Sequence, residues 1–111
     1  YVSWSNENRS QLVRVPAAVG EYRRAELRSP DPTANPYLAF ALMIYAGLDG
    51  ILNKTPLCKP SDINLYTVSP AVLSSYKEIP NTLLEAREIA ASSDFIKAHI
   101  PSEILKIYCG K

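Results

Sequence analysis

Histidine, glycine and net charge are scarce in this 111-residue chain, and each shortage excludes a class of site. The chain contains one histidine, four glycines and a net charge of +1. One histidine, His99, cannot form a zinc cluster or complete a Ser-His-Asp triad, and we interpret it as a surface or satisfied side chain. Neither a GxGxxG fingerprint nor a P-loop is present. A charge this close to zero gives no global attraction to nucleic acid or anionic membranes.

Cysteine and long apolar runs are also limited. The two cysteines, Cys58 and Cys109, have no CxxC spacing and no adjacent histidine, so we interpret both as free thiols of a reduced compartment. The chain starts at Tyr1 without a signal peptide, and the two observations together predict the cytoplasm. The longest apolar run, residues 37–48, is shorter than the ~20 residues that span a membrane. Because site-like sequence begins at the first turn, we expect a segment of a longer protein.

The composition and two alternating segments predict a small sheet. Hydrophobic content of 47% and charged content of 21% are typical of globular proteins, and the length suits one small domain. Residues 10–18 alternate as a strand ended by Pro16, and residues 23–29 ("RRAELRS") read as a second strand. Since the link between them is short and contains Gly20, we expect antiparallel neighbours.

Helices are expected in the remainder of the chain. Asn35 is a plausible N-cap and Pro36 a plausible first residue of a helix that contains the apolar run. This helix should be buried on most sides, which requires neighbours on several sides. The later predicted features are one helical turn within 63–81, a helix capped by Asn81 or Thr82, a break and new cap at 92–94, and a final helix capped by Ser102. The predicted fold class is α+β, with an antiparallel strand pair, part of a larger sheet, packed with several helices.

The arginines are concentrated near the start of the chain. Five of the six lie in the first 28 residues, whereas every lysine lies at Lys54 or later. Arginine suits bidentate contacts with phosphate and carboxylate, and lysine suits solvated surface. The first quarter therefore indicates an anion site, with chance clustering as the alternative. The five residues are Arg9, Arg14, Arg23, Arg24 and Arg28.

The stretch "RRAELRSPD" places a carboxylate between guanidiniums. With a period of two, Arg24, Glu26 and Arg28 share one face of the strand. Converging arginines suit a transferring phosphoryl group, and a carboxylate among them suits a divalent cation bound together with phosphates. The alternative is that Glu26 is only a salt-bridge partner, and the residues alone leave the two readings open.

Three motifs resemble a known family. The stretches "NRSQLVRVP", "R-x-E-L-R-S-P-D" and "ANPYLAFA…AGLDGI" resemble, in that order and spacing, the C-terminal part of the catalytic domain of type I glutamine synthetase. The resemblance is strongest over residues 1–54 and weaker over "DINLYTVSP" and the helical tail. It implies that residues 1–111 are one C-terminal segment of that catalytic domain.

The resemblance also implies an activity and residue roles. The activity is ATP-dependent ligation of ammonia to glutamate through γ-glutamyl phosphate, with Mg²⁺ or Mn²⁺. Glu26 would be a metal ligand, and Arg9 would stabilise the transferring phosphoryl group. Arg14 and Arg24 would contact nucleotide phosphates. Arg28 would bind the glutamate side-chain carboxylate and its acyl phosphate, so that Arg9 and Arg28 are the catalytic pair.

Other implications concern assembly and regulation. The family forms stacked rings, a homo-oligomeric dodecamer, and its other metal ligands precede the segment matched here, so we expect the isolated chain to lack synthetase activity. Glu7, in "NENRS" where the family usually has "ARNRS", adds a negative charge beside the site. Tyr66 aligns with a tyrosine that one bacterial branch adenylylates, but the acidic run that usually follows it is missing.

Three alternative functions share some of these features. A γ-glutamyl-polyamine synthetase would use the same phosphoryl chemistry on another amine. A non-catalytic anion-binding or interaction module would have kept the fold without the site, but the presence of both Glu26 and Arg9 argues against decay. A nucleic-acid-binding hairpin is disfavoured by the net charge and by the lack of aromatic residues between the arginines.

Overall fold

The computed structural model describes residues 1–110, which contain a three-stranded sheet and five helices. This composition confirms the predicted α+β class. The contacts within the chain divide it into two compact units. The first unit comprises residues 1–34 and 56–79, and the second comprises residues 35–55 and 80–111. Lys111, the last residue of the predicted segment, lies outside the described residues.

The sheet lies in the first unit. Its strands are β1 (Trp4–Asn6), β2 (Val13–Val15) and β3 (Glu26–Leu27), in the spatial order β1-β2-β3. β2 pairs with β3 in the antiparallel sense, which confirms the predicted pair, and β1 pairs with β2 in parallel. The link between β2 and β3 turns at Gly20, whose φ of 60° is in the left-handed region that glycine adopts without strain.

Sequence periodicity did not predict β1. The buried side chains of this segment are small and polar: Ser3, just before β1, is 8% exposed, and Ser5, within β1, is fully buried. The nearby Val2 is half exposed. A half-buried strand normally alternates apolar-in and polar-out, and here the pattern is inverted. Backbone pairing with β2 and the segment that covers it, not side-chain hydrophobicity, therefore define this strand.

Residues 56–79 of the first unit fold against β1. The Trp4 indole Nε1 donates to the Cys58 carbonyl at 2.8 Å, and the Ser61 amide donates to the Trp4 carbonyl at 2.8 Å. This segment contains α2 (Pro70–Leu73), the single helical turn expected between residues 63 and 81. It also contributes Leu65, one of two buried hydrophobic residues in the described chain.

The second unit opens with α1 (Pro36–Leu52). The Asn35 side-chain Oδ1 accepts from the amides of Tyr37 at 3.0 Å and Leu38 at 3.3 Å, so the predicted cap and first residue are confirmed. No residue of α1 is buried, so the described residues do not supply the cover on several sides that its apolar run calls for. Three short helices in the same unit cannot surround 17 apolar-rich residues.

The remaining helices are α3 (Leu83–Ser92), α4 (Asp94–His99) and α5 (Ser102–Cys109). Thr82 caps α3 through a bond to the Glu85 amide at 3.2 Å. Ser93 caps α4, as the predicted break implied. Ser102 is the first residue of α5 and does not cap it. Pro101 takes the cap position, and its carbonyl accepts the first hydrogen bonds of the helix. None of the helices described for residues 1–110 has the length and apolar content to cross a membrane.

Candidate phosphoryl-transfer site

The centre of the candidate site is a cross-strand ion pair in the first unit. Arg14 on β2 lies directly opposite Glu26 on β3. The Arg14 Nη1 donates to both carboxylate oxygens of Glu26, at 2.9 and 3.0 Å. The Arg14 side chain is 12% exposed and that of Glu26 is 30% exposed, so the pair is partly shielded from water. Opposite-charge neighbours of this kind stabilise a two-stranded register.

Two further arginines surround the same carboxylate. The Arg24 Nε lies 3.5 Å from Glu26 Oε1, and the Arg28 Nη1 lies 3.6 Å from Glu26 Oε2. The predicted face of Arg24, Glu26 and Arg28 is therefore confirmed. The hydrogen bond from Arg14 lowers the pKa of Glu26 below its ordinary value of 4.5, and the charges of the other two arginines lower it further. The carboxylate is consequently ionised at neutral pH.

Glu7 engages the opposite side of Arg14. The Arg14 Nε donates to the Glu7 carbonyl at 3.0 Å, and Nη2 lies 3.6 Å from the Glu7 carboxylate. The other oxygen of that carboxylate accepts from the Ala17 amide. Glu7 has a φ of 68°, which is unusual for a residue with a side chain. The negative charge of Glu7, which departs from the usual family motif, therefore helps to hold Arg14 in place.

Arg9 differs from the other site arginines because its charge is free. Within residues 1–110, its guanidinium has no carboxylate within 4 Å. Its backbone carbonyl accepts from Arg28 Nε at 3.0 Å, which joins the two predicted catalytic arginines. Both line a cavity of about 230 Å³. The other residues that line this cavity are Tyr1, Ser10, Gln11, Leu12, Ser29, Leu65, Tyr66 and Ile79.

A hydrogen-bond network holds the connection that carries Arg9. We call residues 7–12, between β1 and β2, the Arg9 loop, and residues 61–66 the Ile63 loop. The Ile63 carbonyl accepts from Asn8 Nδ2 at 3.0 Å and from Gln11 Nε2 at 2.8 Å. The Leu65 amide donates to Ser10 Oγ at 3.0 Å. Side chains on both sides of Arg9 therefore fasten one loop to the other.

Gln11 is the least expected member of this network. It is 2% exposed, and its Oε1 is buried without a hydrogen-bond partner. Leaving a buried acceptor unpaired costs about 1–3 kcal/mol. Its Nε2 must face Ile63, since the reverse orientation would place two carbonyl-type oxygens together. The alternation of "SQLVRV" gave no signal for this residue, because the contact joins positions 52 residues apart.

Within the described residues, Glu26 is the carboxylate that the family resemblance assigns to a metal. No group of three His, Cys, Asp or Glu side chains within residues 1–110 could hold a metal ion. Glu26 is ionised, as a metal ligand must be, but three guanidiniums surround it. Mg²⁺ commonly takes only one or two carboxylates and completes its shell with phosphate and water. Glu26 therefore fits as a single ligand of a metal that arrives with phosphates.

The residues set aside by sequence reasoning are not among those that line the cavity. Cys58 and Cys109 are both free thiols, as predicted. His99 belongs to the second unit, where its Nδ1 bonds to the Phe95 carbonyl at 2.8 Å and its ring centre lies 4.2 Å from that of Tyr45. It is a satisfied histidine, in agreement with the sequence interpretation.

Comparison with known proteins identifies the class to which this sheet and arginine cluster belong. Residues 1–110 match the family model for the glutamine synthetase catalytic domain. A glutamine synthetase of Methanosarcina mazei is 42% identical over 114 residues, covering 100% of this chain and 26% of the relative. One from Methanocaldococcus jannaschii is 53% identical over 68 residues, covering 61% and 15%. One from Staphylococcus aureus is 39% identical over 106 residues, covering 94% and 24%.

The chain belongs to the glutamine synthetase catalytic-domain family. This confirms the resemblance carried by the three motifs. The chain spans about a quarter of the length of the curated relatives that it matches nearly end to end. The activity, substrates and assembly of a whole protein containing this chain therefore remain matters for proposal.

Proposed function

We propose that this chain is the C-terminal segment of the catalytic domain of an ATP-dependent glutamate–ammonia ligase. The observation that carries the proposal is the division of labour among the arginines. Arg14, Arg24 and Arg28 converge on one ionised carboxylate, and Arg9 keeps an unpaired charge beside Arg28 at a cavity. Membership of the family supports the assignment of this arrangement to phosphoryl transfer.

The first chemical step is transfer of a phosphoryl group. An oxygen of the glutamate side-chain carboxylate attacks the γ-phosphorus of ATP, the bond to the β-phosphate oxygen breaks, and ADP leaves. Arg28 would hold the attacking carboxylate, and Arg9 would donate to the equatorial oxygens of the moving group. Fixed charges of this kind stabilise the transition state without taking part in proton transfer.

The second step consumes the acyl phosphate. Ammonia attacks the carbonyl carbon, inorganic phosphate leaves with the bonding electrons, and the attacking nitrogen loses a proton to give glutamine. Arg28, next to Arg9, would bind the glutamate side-chain carboxylate in the first step and the departing phosphate in the second. The cavity that both arginines line would keep these groups close together.

Nucleotide and metal would be held on the sheet side of the cluster. Arg24 is more than half exposed and has donors to spare for ATP phosphates. Arg14 would contact phosphate only at the edge left open by Glu7 and Glu26. Glu26 would hold Mg²⁺ or Mn²⁺, and the bound metal would offset the repulsion between ATP and the glutamate carboxylate.

We also propose the assembly and compartment of the whole protein. The exposed apolar residues of α1, such as Phe40, Ile44 and Ile51, favour a helix covered by other parts of a homo-oligomer. Family membership supports a dodecamer of stacked rings. The free thiols Cys58 and Cys109 support the cytoplasm.

The test is a product assay on the full-length polypeptide that carries this segment. Supplied with ATP, Mg²⁺, glutamate and ammonia, it should form glutamine together with equal amounts of ADP and phosphate. Replacing ammonia with a polyamine at the same concentration should reduce ADP release strongly. Faster turnover with the polyamine would favour the γ-glutamyl-polyamine synthetase instead, and no ADP release with either amine would favour a non-catalytic module.

A further inference from the structure

We propose that Gln11 is a positioning residue that fixes the conformation from which Arg9 faces the cavity. The proposal rests on the proposed function for its kinetic consequence, but its structural basis is independent. Gln11 is nearly fully buried, and its Nε2 donates across to the Ile63 carbonyl at 2.8 Å and, within the Arg9 loop, to Ser10 Oγ at 3.3 Å. The family resemblance assigns no role to Gln11.

The Arg9 loop needs such a fastening because it is short. β1 and β2 are parallel and are joined by residues 7–12 alone, whereas parallel strands usually require a connection of a dozen or more residues. The loop has few main-chain bonds of its own, and the Glu7 backbone lies in the left-handed region. Side-chain bonds from Asn8, Ser10 and Gln11 therefore determine where Arg9 lies.

The same bonds shape the cavity. Leu65 and Tyr66 of the Ile63 loop line one part of it, and Arg9 and Arg28 line another. Losing the Gln11 donor would leave the Ile63 carbonyl held only by the longer bonds from Asn8 and Ser10 and would loosen the two linings. The Arg9 guanidinium, which has no ion-pair partner within residues 1–110, would follow its loop. Small displacements of a catalytic group are enough to lower turnover.

The principal test is Gln11→Met in the full-length polypeptide. Methionine keeps the length and removes the donor to Ile63. We expect kcat to fall roughly 10- to 100-fold while KM for ATP and glutamate stays within about threefold. Asn53→Ala, which removes one exposed amide bond to Asp49 in the second unit, is the matched control and should leave kcat unchanged. A kcat within about twofold of the native value, or a loss confined to KM, would overturn the proposal.

A second variant, Gln11→Glu, makes the donor to the Ile63 carbonyl dependent on pH. An ionised glutamate cannot donate to the Ile63 carbonyl, but a protonated one can. The activity of this variant relative to the native protein should therefore rise as the pH is lowered. A pH-independent ratio would contradict the proposal, and this variant decides the matter where Gln11→Met fails to fold.

Amide hydrogen exchange separates the failure of this proposal from failure of the proposed function. Exchange over residues 61–66 should accelerate in Gln11→Met while exchange over α1 stays at the native rate, because the variant loses the shortest of the side-chain bonds to the Ile63 carbonyl and changes no contact of α1. Unchanged exchange over residues 61–66 would overturn the proposal even in an active enzyme. If the native protein has no synthetase activity but exchange accelerates, Gln11 holds the two loops together as proposed and the proposed function is wrong.

Discussion

Replacement of Arg9 with glutamine should separate catalysis from stability more cleanly than replacement of any other arginine of the site. Arg9 makes no ion pair within residues 1–110, so its removal leaves no buried carboxylate without a partner. Loss of Arg14, in contrast, would remove the closest partner of Glu26 and the ion pair with Glu7. The cost of Arg9→Gln should therefore fall on the transition state and not on the fold.

The magnitude follows from the role of a single charge-stabilising donor. Removing one such group typically lowers kcat by about 10²–10³, or roughly 2.7–4 kcal/mol of transition-state stabilisation. The free energy of unfolding should change by no more than about 0.5 kcal/mol, as for exposed side chains elsewhere. The kcat of Arg9→Lys should lie between those of the native protein and Arg9→Gln, because lysine keeps the charge but not the planar fork.

The assay is single-turnover formation of ADP by the full-length polypeptide, with thermal unfolding measured on the same samples. Arg23→Gln is the matched control, since Arg23 is exposed, belongs to the same unit and does not line the cavity. It should turn over at the native rate. If Arg9→Gln and Arg23→Gln behave alike, or if Arg9→Gln loses stability in proportion to activity, the reasoning about a free catalytic charge is refuted.

Three further predictions concern stability and completeness. Leu65→Ala should destabilise the first unit by about 2–3 kcal/mol in urea unfolding, at the lower end for Leu→Ala because Leu65 already borders a cavity; a loss below about 1 kcal/mol would contradict this. Because the pKa of Glu26 is lowered on folding, its contribution to stability is complete above pH 4.5 and is lost as the pH falls through the lower folded value. Glu26→Gln should thus flatten the acid side of the stability curve, and an unaltered acid side would count against the ion-pair cluster. The isolated 111-residue chain should show no ATP- and ammonia-dependent γ-glutamyl transfer, since no group of three His, Cys, Asp or Glu side chains within residues 1–110 could hold a metal ion. Turnover clearly above a blank would disprove this.

Local signals predicted the parts of the fold that local physics determines. Asn35 followed by Pro36 located the start of α1, since a cap and a fixed φ act within one turn. The alternation around Glu26 located β3 and the shared face of its arginines. At α5 the predicted cap, Ser102, was one residue too late, because Pro101 takes the cap position.

The parts that sequence reasoning missed depend on contacts between distant residues. β1 is a strand through pairing with β2 and through the Trp4 bonds to the 58–61 segment, and its buried face consists of serines. The opposition of Arg14 and Glu26 required the register of two strands. Gln11 could not be singled out, since nothing near it in sequence indicates its bond to Ile63. The order of the motifs suggested the roles that we propose for the arginines, and the structure gave their ion-pair partners.

The order in which the chain builds its two units has a consequence for how it can be divided. The backbone passes from one unit to the other three times, after residues 34, 55 and 79. A single cleavage by a protease therefore cannot release either unit intact, because at least one product retains residues of both. Expression of the arginine-bearing unit by itself would require α1 to be excised and residues 34 and 56 to be joined by a new linker, with the chain ended at residue 79.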